Sequence, residues 1–310
     1  TVSANSKTAY VTLQENNAIA TVDIASRTVT SIKPLGFKDH SLAGMGMDVS
    51  DEDGGTNTNS GTPLIKIGPV PVKGMYLPDG VASYTAGGQT WLITANEGDA
   101  REYTGFAEEV RVATHCPAGL DPTLFADVAT LIGNAGLGRL NVTNTPNGDR
   151  TGKNAAGQCT ELYSFGGRSF SIWNTDIQRV ADSGEDLERL TTNLPNVLFN
   201  ASNTNNTLES RSTSKGPEPE GVTVARFGPK TFAFIGLERV GGVVVYDVSE
   251  PAKPRQVSYL NTREGADKGD RGPEGLTYIP ADDSPTGEPL LVVGHESSGT
   301  TAVYRIRPTY

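Results

Sequence analysis

Three copies of one short pattern constrain this chain more than any other feature. Gly216-Pro217-Glu218-Pro219-Glu220-Gly221-Val222-Thr223-Val224 is closely matched by Gly272-Pro273-Glu274-Gly275-Leu276-Thr277-Tyr278-Ile279. A looser copy is Pro78-Asp79-Gly80-Val81-Ala82-Ser83-Tyr84. Each reads proline, acid, glycine and then a short apolar strand. A second strand follows each copy and ends on another acid: Glu97, Glu238 and Glu296. The paired acids lie 18, 18 and 22 residues apart. The longer spacing holds the turn-rich Asp282-Asp283-Ser284-Pro285-Thr286-Gly287, where added residues cost little.

A repeated strand–turn–strand unit with an acid at both inner ends points to the blades of a β-propeller. Equivalent positions of successive blades meet around one channel, so the repeated acids would converge there. Converging carboxylates raise one another's pKa unless a cation neutralises them. A set of hard oxygen ligands suits calcium. The expected ligands are Glu97, Glu220, Glu238, Glu274 and Glu296, with Asp79 and Asp99 beside them. The alternative is that these acids satisfy backbone N–H groups in tight turns, or pair with Arg101, Arg239 and Arg271 nearby.

Composition supports many short strands joined by turns: 36 glycines and 19 prolines stand in 310 residues, and helical patterns are scarce. That length is ample for one large all-β domain. The expected organisation is a single domain over residues 1–310, interrupted by a loop insertion at about 36–79 and a mixed loop and helix insertion at about 104–160. A net charge of −10 argues against nucleic acid and anionic membranes as partners. No apolar run approaches the ~18 residues of a membrane span. The chain opens Thr1-Val2-Ser3-Ala4-Asn5 without a signal peptide, so a targeting segment would have been removed or would belong to a longer precursor. Two cysteines, Cys116 and Cys159, fall in a segment poor in apolar residues. A disulfide between them would stabilise such a segment by roughly 4 kcal/mol on the chain-entropy view; the alternative is two unrelated buried thiols.

Along the chain, residues 8–33 read as three strands, with Glu15 placed as Glu97, Glu238 and Glu296 are in their units. The chain thus starts inside a blade. Asp48, Asp51, Glu52 and Asp53 precede Gly54-Gly55, but Val49 and Ser60 stand where an EF-hand needs its first and last ligands, leaving an irregular calcium loop or a solvated turn. Helical spacing predicts helices over 122–132 and 186–194. Gly166-Gly167 between Glu161–Phe165 and Arg168–Trp173 reads as a hairpin that completes the blade begun at residue 80. Residues 200–215, rich in Asn, Ser and Thr, read as an exposed loop carrying Arg211 and Lys215. Residues 216–260 form the cleanest blade, and the last, from 272, lacks its fourth strand.

Several long stretches resemble the choice-of-anchor I family, a group of bacterial exported proteins related to the mesenchyme-specific cell-surface glycoprotein of echinoderms. They include Thr8-Ala9-Tyr10-Val11-Thr12-Leu13-Gln14-Glu15-Asn16-Asn17, Thr94-Ala95-Asn96-Glu97-Gly98-Asp99-Ala100-Arg101-Glu102-Tyr103, Phe165-Gly166-Gly167-Arg168-Ser169-Phe170-Ser171-Ile172-Trp173 and Gly236-Leu237-Glu238-Arg239-Val240-Gly241-Gly242. The resemblance covers essentially the whole chain. It implies an extracellular, cell-surface or periplasmic propeller, seven-bladed when complete, with its first blades outside this chain and supplied by an N-terminal fragment or another chain. It also implies calcium as the ion. Some members are labelled alkaline phosphatase or phytase-like, and the echinoderm relatives are tied to calcium carbonate deposition.

A zinc-type phosphatase needs clustered His and Asp ligands, yet His40, His115 and His295 are scattered and form no ligand pair. No Gly-x-Ser-x-Gly elbow occurs. Calcium-dependent phosphoester hydrolysis stays open, with Arg101, Arg239 and Arg271 as phosphate clamps, as do a non-catalytic calcium-binding surface or matrix module and a scaffold for protein–protein contact.

Overall fold

The computed structural model describes residues 1–54, 63–145 and 152–308. Residues 55–62, part of the loop insertion expected at about 36–79, lie outside the described residues. The fold is all-β, built from several small sheets. Sheet A runs Thr8–Leu13, Ala18–Asp23, Thr28–Pro34. Sheet C has Val81–Ala86, Gln89–Ala95, Phe170–Asn174 and Arg179–Asp182 in spatial order. Sheet D is the meander Pro219–Phe227, Lys230–Leu237, Val243–Asp247, Arg255–Leu260. Sheet E is Pro273–Ile279, Leu290–His295, Thr300–Arg305. The first strands of C, D and E pack side by side, D between the other two. This arrangement is compatible with propeller blades, and no ring closes among the described residues.

Period-two alternation explains the stacking. Along Lys230–Leu237 of sheet D, Ala233, Ile235 and Leu237 face a core shared with sheet C, while Phe234 faces a core shared with sheet E. The next strand repeats the split, with Val244 and Tyr246 toward C and Val243 toward E. In sheet C, Ile93 and Ile172 join the core with D, whereas Leu92 and Trp173 join Tyr10 and Ile19 of sheet A. Middle strands therefore read as continuous apolar runs because both faces are covered.

The two expected insertions build one structure. Phe37–Asp39 and Lys73–Met75 from the first, with Glu109–Arg111 and Asn141–Thr143 from the second, form sheet B around Tyr163–Phe165. Beneath it Met47, Val72, Val112, Leu120, Leu137 and Leu140 bury a separate core that contains the Cys116–Cys159 disulfide.

Four local expectations are corrected. Residues 161–173 are not a hairpin: Tyr163–Phe165 pairs in parallel with Lys73–Met75 in sheet B, while Phe170–Asn174 pairs with Gln89–Ala95 in sheet C. Gly166 permits this crossing, since its φ is +75° and a Cβ there would lie 2.5 Å from the Glu97 carbonyl oxygen. The helix expected over 122–132 shrinks to Val128–Leu131. The helix expected over 186–194 is Asp186–Thr191. Residues 200–215 are largely buried, not an exposed loop: Asn200, Ala201, Glu209 and Ser212 are fully covered. Their polar groups are used internally, for example the Ser212 and Ser214 carbonyls that accept from the buried Arg168 guanidinium at 2.7 and 2.8 Å.

The glycines of the repeated pattern set the spacing between sheets. A Cβ on Gly80 would stand 2.4 Å from the Glu220 carbonyl oxygen, and one on Gly221 would stand 2.0 Å from that of Glu274. Nothing lies within 4 Å of the Cβ position of Gly275. Gly221→Ala is therefore expected to destabilise by roughly 1–3 kcal/mol through overpacking, whereas Gly275→Ala leaves stability within about 0.5 kcal/mol of the parent. Urea unfolding of both variants checks this; equal effects would contradict it.

Candidate functional site

The repeated turns deliver their acids to one end of the sheets. In sheet D, Pro219 pairs with Leu237 and the register then shifts before Val222; in sheet E, Pro273 pairs with His295 and shifts before Leu276. The same bulge thus frees Glu220-Gly221 and Glu274-Gly275 from the ladder, and a bulge re-aims the side chain it carries. Glu238 and Glu97 follow the ends of the adjacent strands, so they arrive at the same end. The Gly80 N–H donates to the Glu220 carbonyl at 3.1 Å, which ties the turn of sheet C to that of sheet D.

Two populations of carboxylate meet here. The first is paired. Glu97, Glu218 and Glu238 are buried, and each offers an oxygen within 4.8 Å of the others. Lys215 donates to Glu97 Oε1 at 2.7 Å and lies 3.0 Å from Glu218 Oε2. Arg211 Nε donates to Glu218 Oε1 at 2.9 Å. Arg239 lies 3.0 Å from Glu218 and 2.9 Å from Glu238. Gln14 donates to the other Glu97 oxygen, Oε2, at 2.6 Å, and Asn203 donates at 2.9 Å to the same Glu238 Oε1 that faces Arg239. Burial alone would raise the Glu218 carboxyl, but Lys215, Arg211 and Arg239 together hold it down to about 2.

The second population comprises Asp79, Glu220 and Glu274. Among the described residues no Lys or Arg forms an ion pair with any of them. Glu220 Oε2 is buried without a hydrogen-bond partner. Desolvation, then the charges of Glu238, Glu97, Asp79 and Glu274, push the Glu220 carboxyl far above the ordinary carboxylate range. Desolvation and Glu218 raise Glu238, against the pull of Arg239. Desolvation raises Asp79 as well, followed by the charges of Glu274 and Asp99.

Glu97 and Glu238 thus meet directly with Glu218, while Glu220, half-buried, and Asp79 and Glu274, both exposed, stand within electrostatic range of them. Asp99 is exposed at the edge, 3.8 Å from Lys215. Glu296 is exposed at the end of sheet E, with its backbone N–H on the Gly272 carbonyl at 2.9 Å. The three arginines do not converge. Arg101 is held by Glu108 in a two-pronged pair at 3.0 Å on each arm, and Arg271 donates to the Asn203 and Ala266 carbonyls at 3.2 and 3.0 Å. Among the described residues no histidine is grouped with these acids: His40 is buried with Nδ1 2.7 Å from the Met45 carbonyl oxygen, His115 packs beside the disulfide, and the buried His295, opposite Pro273, is acted on by Asp270. Glu218, Lys215 and Arg211 were missed in the sequence. Glu218 precedes Pro219 and takes a φ of +52°, so the acid two places before the repeated one folds inward.

The choice-of-anchor I domain pattern matches residues 1–251. The chain belongs to this family. Gigasin-3a of Magallana gigas is 32% identical over 189 residues, covering 55% of this chain and 65% of that protein, so the chain spans less than two thirds of its relative. A functionally unknown protein from Desulfotomaculum acetoxidans superposes over 98% of this chain and 68% of its own, at 10% identity and a TM-score of 0.29. Family membership supports an extracellular or surface setting. No helix among the described residues is long and apolar enough to cross a membrane.

The buried Glu218 anchors three cations, so its loss is expected to be severe. Glu218→Gln should cost about 3–5 kcal/mol, because buried guanidinium and ammonium groups lose their countercharge. The shift of the urea midpoint measures this; a loss below ~1 kcal/mol would show that the network adds little.

Proposed function

We propose that this choice-of-anchor I chain is a calcium-binding domain of an extracellular or cell-surface protein, with sheets A, C, D and E as blades of a β-propeller. One observation carries the reading. Asp79, Glu220 and Glu274, the acids of three spatially consecutive turns, repel one another electrostatically and have no ion-pair partner among the described residues, while the carboxylates beside them are paired. A hard divalent ion would relieve that repulsion, and calcium accepts the irregular geometry of carboxylates arriving from separate turns. Asp79, Glu220 and Glu274 would hold it, with Glu238 as a further oxygen donor. Lys215 and Arg239 would keep Glu97 and Glu218 out of the ion's shell. The disulfide in sheet B's core fits an oxidising compartment. Gly80 receives the turn of sheet D and Gly221 that of sheet E, so the open face of Gly275 would receive the turn of a further blade. Phosphoester hydrolysis draws no support from the arginines, which are spent on Glu108, on Glu218 and Glu238, and on backbone carbonyls.

The test is thermal unfolding of metal-free protein against calcium, with magnesium as control. An ion bound only by the folded state stabilises by about 2.7 kcal/mol at a hundredfold excess over Kd. Calcium should raise Tm, magnesium should do little, and Glu220→Gln should abolish most of the rise. The pH dependence has a definite sign. Glu220 and Glu238 are raised in the folded state, so their contribution to stability is present below the unfolded carboxylate pKa and is lost as pH rises toward the folded values. Metal-free Tm should therefore fall between about pH 5 and 8 on this account. Saturating calcium should flatten that slope and release protons on binding. An unchanged slope with calcium would overturn the assignment.

A further inference from the structure

A second acidic region lies away from the turns, where residues 48–53 meet the chain around Asn200 and Glu209. Its paired members are easily identified. Asp51 accepts from Arg139 at 2.6 and 2.8 Å, and Glu52 lies 3.2 Å from the same guanidinium. Glu188 pairs with Arg168 at 2.7 Å. Asp53 has the half-exposed Lys66 at 3.2 Å and the Leu64 N–H at 2.8 Å. Asp48 is buried and accepts only backbone N–H groups, from Lys66 at 2.6 Å and Ser50 at 3.3 Å.

Glu209 has no such partner. Its side chain is fully buried, and neither Oε1 nor Oε2 meets a hydrogen-bond donor. The charges that act on it most strongly are negative: Asp48 first, then Asp53, Asp51 and Glu188. Asn200 is also fully buried, and its Oδ1 is likewise without a donor. The two are neighbours, because the Glu209 N–H donates to the Phe199 carbonyl and the Arg211 N–H to that of Asn200, both at 2.8 Å. The Asn200 amide is oriented by Glu188 and Ser212, each at 2.9 Å, which turns its oxygen away from them. Unpaired acceptor oxygens buried together cost free energy that a neutral partner does not supply. Six acids, Asp48, Asp51, Glu52, Asp53, Glu188 and Glu209, stand here against Arg139, Arg168 and Lys66, with Arg111 and Lys38 in electrostatic range of Asp51 and Glu188.

We infer that Glu209, Asn200, Asp48 and Asp53 form a second site for a hard divalent cation, with calcium the fitting ion. The donors are all oxygen, which suits calcium over zinc or copper. The site joins the loop at residue 48 to the strap at 200–215, which also carries Arg211 and Lys215 to the central acids. Burial and the facing acids push the Glu209 carboxyl up to about 9, in keeping with a group that lacks its countercharge.

Equilibrium dialysis of chelator-treated protein against calcium tests this by stoichiometry. Glu209→Gln should bind one calcium fewer per chain than the parent, and Glu220→Gln should lose a different one, so the double variant loses both. If Glu209 is simply a buried neutral acid, Glu209→Gln imitates it and binds the same number of ions as the parent, which overturns the inference. Loss in Glu220→Gln with none in Glu209→Gln keeps the central site and removes this one; the reverse result removes the central site. Should Glu209→Gln fail to fold, Asp53→Asn takes its place: at least a tenfold weaker second binding step is expected, and an unchanged isotherm overturns the inference.

Discussion

The close approach of backbone at two glycines underlies this structure. With no side chain at Gly80 or Gly221, the carbonyls of Glu220 and Glu274 come where a Cβ would otherwise stand. Three turns thereby stack at one end of three sheets, and their acids are forced into one another's field. The apolar faces between sheets supply the driving force for that stacking, since burial of such surface is worth about 25 cal/mol per Å². The electrostatic cost falls on the carboxylates, and the chain offsets part of it. Lys215, Arg211 and Arg239 neutralise Glu97, Glu218 and Glu238, while Asp79, Glu220 and Glu274 have no ion-pair partner among the described residues.

The paired set and the unpaired set have different physical roles. A buried ion pair with several hydrogen bonds per charge fixes geometry and contributes modestly to net stability. Lys215 and Arg239 hold Glu97 and Glu238 in place beside the turn acids, so the unpaired oxygens are presented from a rigid rim. Arg239 is part of that rigidity, while Arg101, paired with Glu108, and Arg271, on backbone carbonyls, belong to the surrounding loops.

Much of this was legible in the sequence because the repeated pattern carries its own reason. Proline and glycine define the turn, and the strand alternation that follows defines the sheet. Residues 8–33 read as three strands and fold as three, and the units expected over 216–260 and from 272 fold as sheets D and E, the latter with three strands. What escaped depended on contacts distant in sequence. Gly166-Gly167 looks like a hairpin turn, but Gly166 is there for the approach of Glu97, and the flanking strands join different sheets. The Asn- and Ser-rich strap at 200–215 has the composition of a surface loop, yet its carbonyls satisfy buried Arg168 and Arg263. Lys215 and Arg211 were noted only as loop residues for that reason. Glu218 has no counterpart in the other copies of the repeat, whose shared acid is Glu220, so the pattern alone does not single it out.

The most direct test of the central claim is the location of the ion itself. A crystal structure of the chain grown with calcium, with the ion placed by its anomalous scattering, should show it about 2.3–2.6 Å from oxygens of Glu220, Asp79 and Glu274. A structure at saturating calcium with no ion at these turns, and with Glu220 sharing a proton with a neighbouring carboxyl instead, would contradict the account.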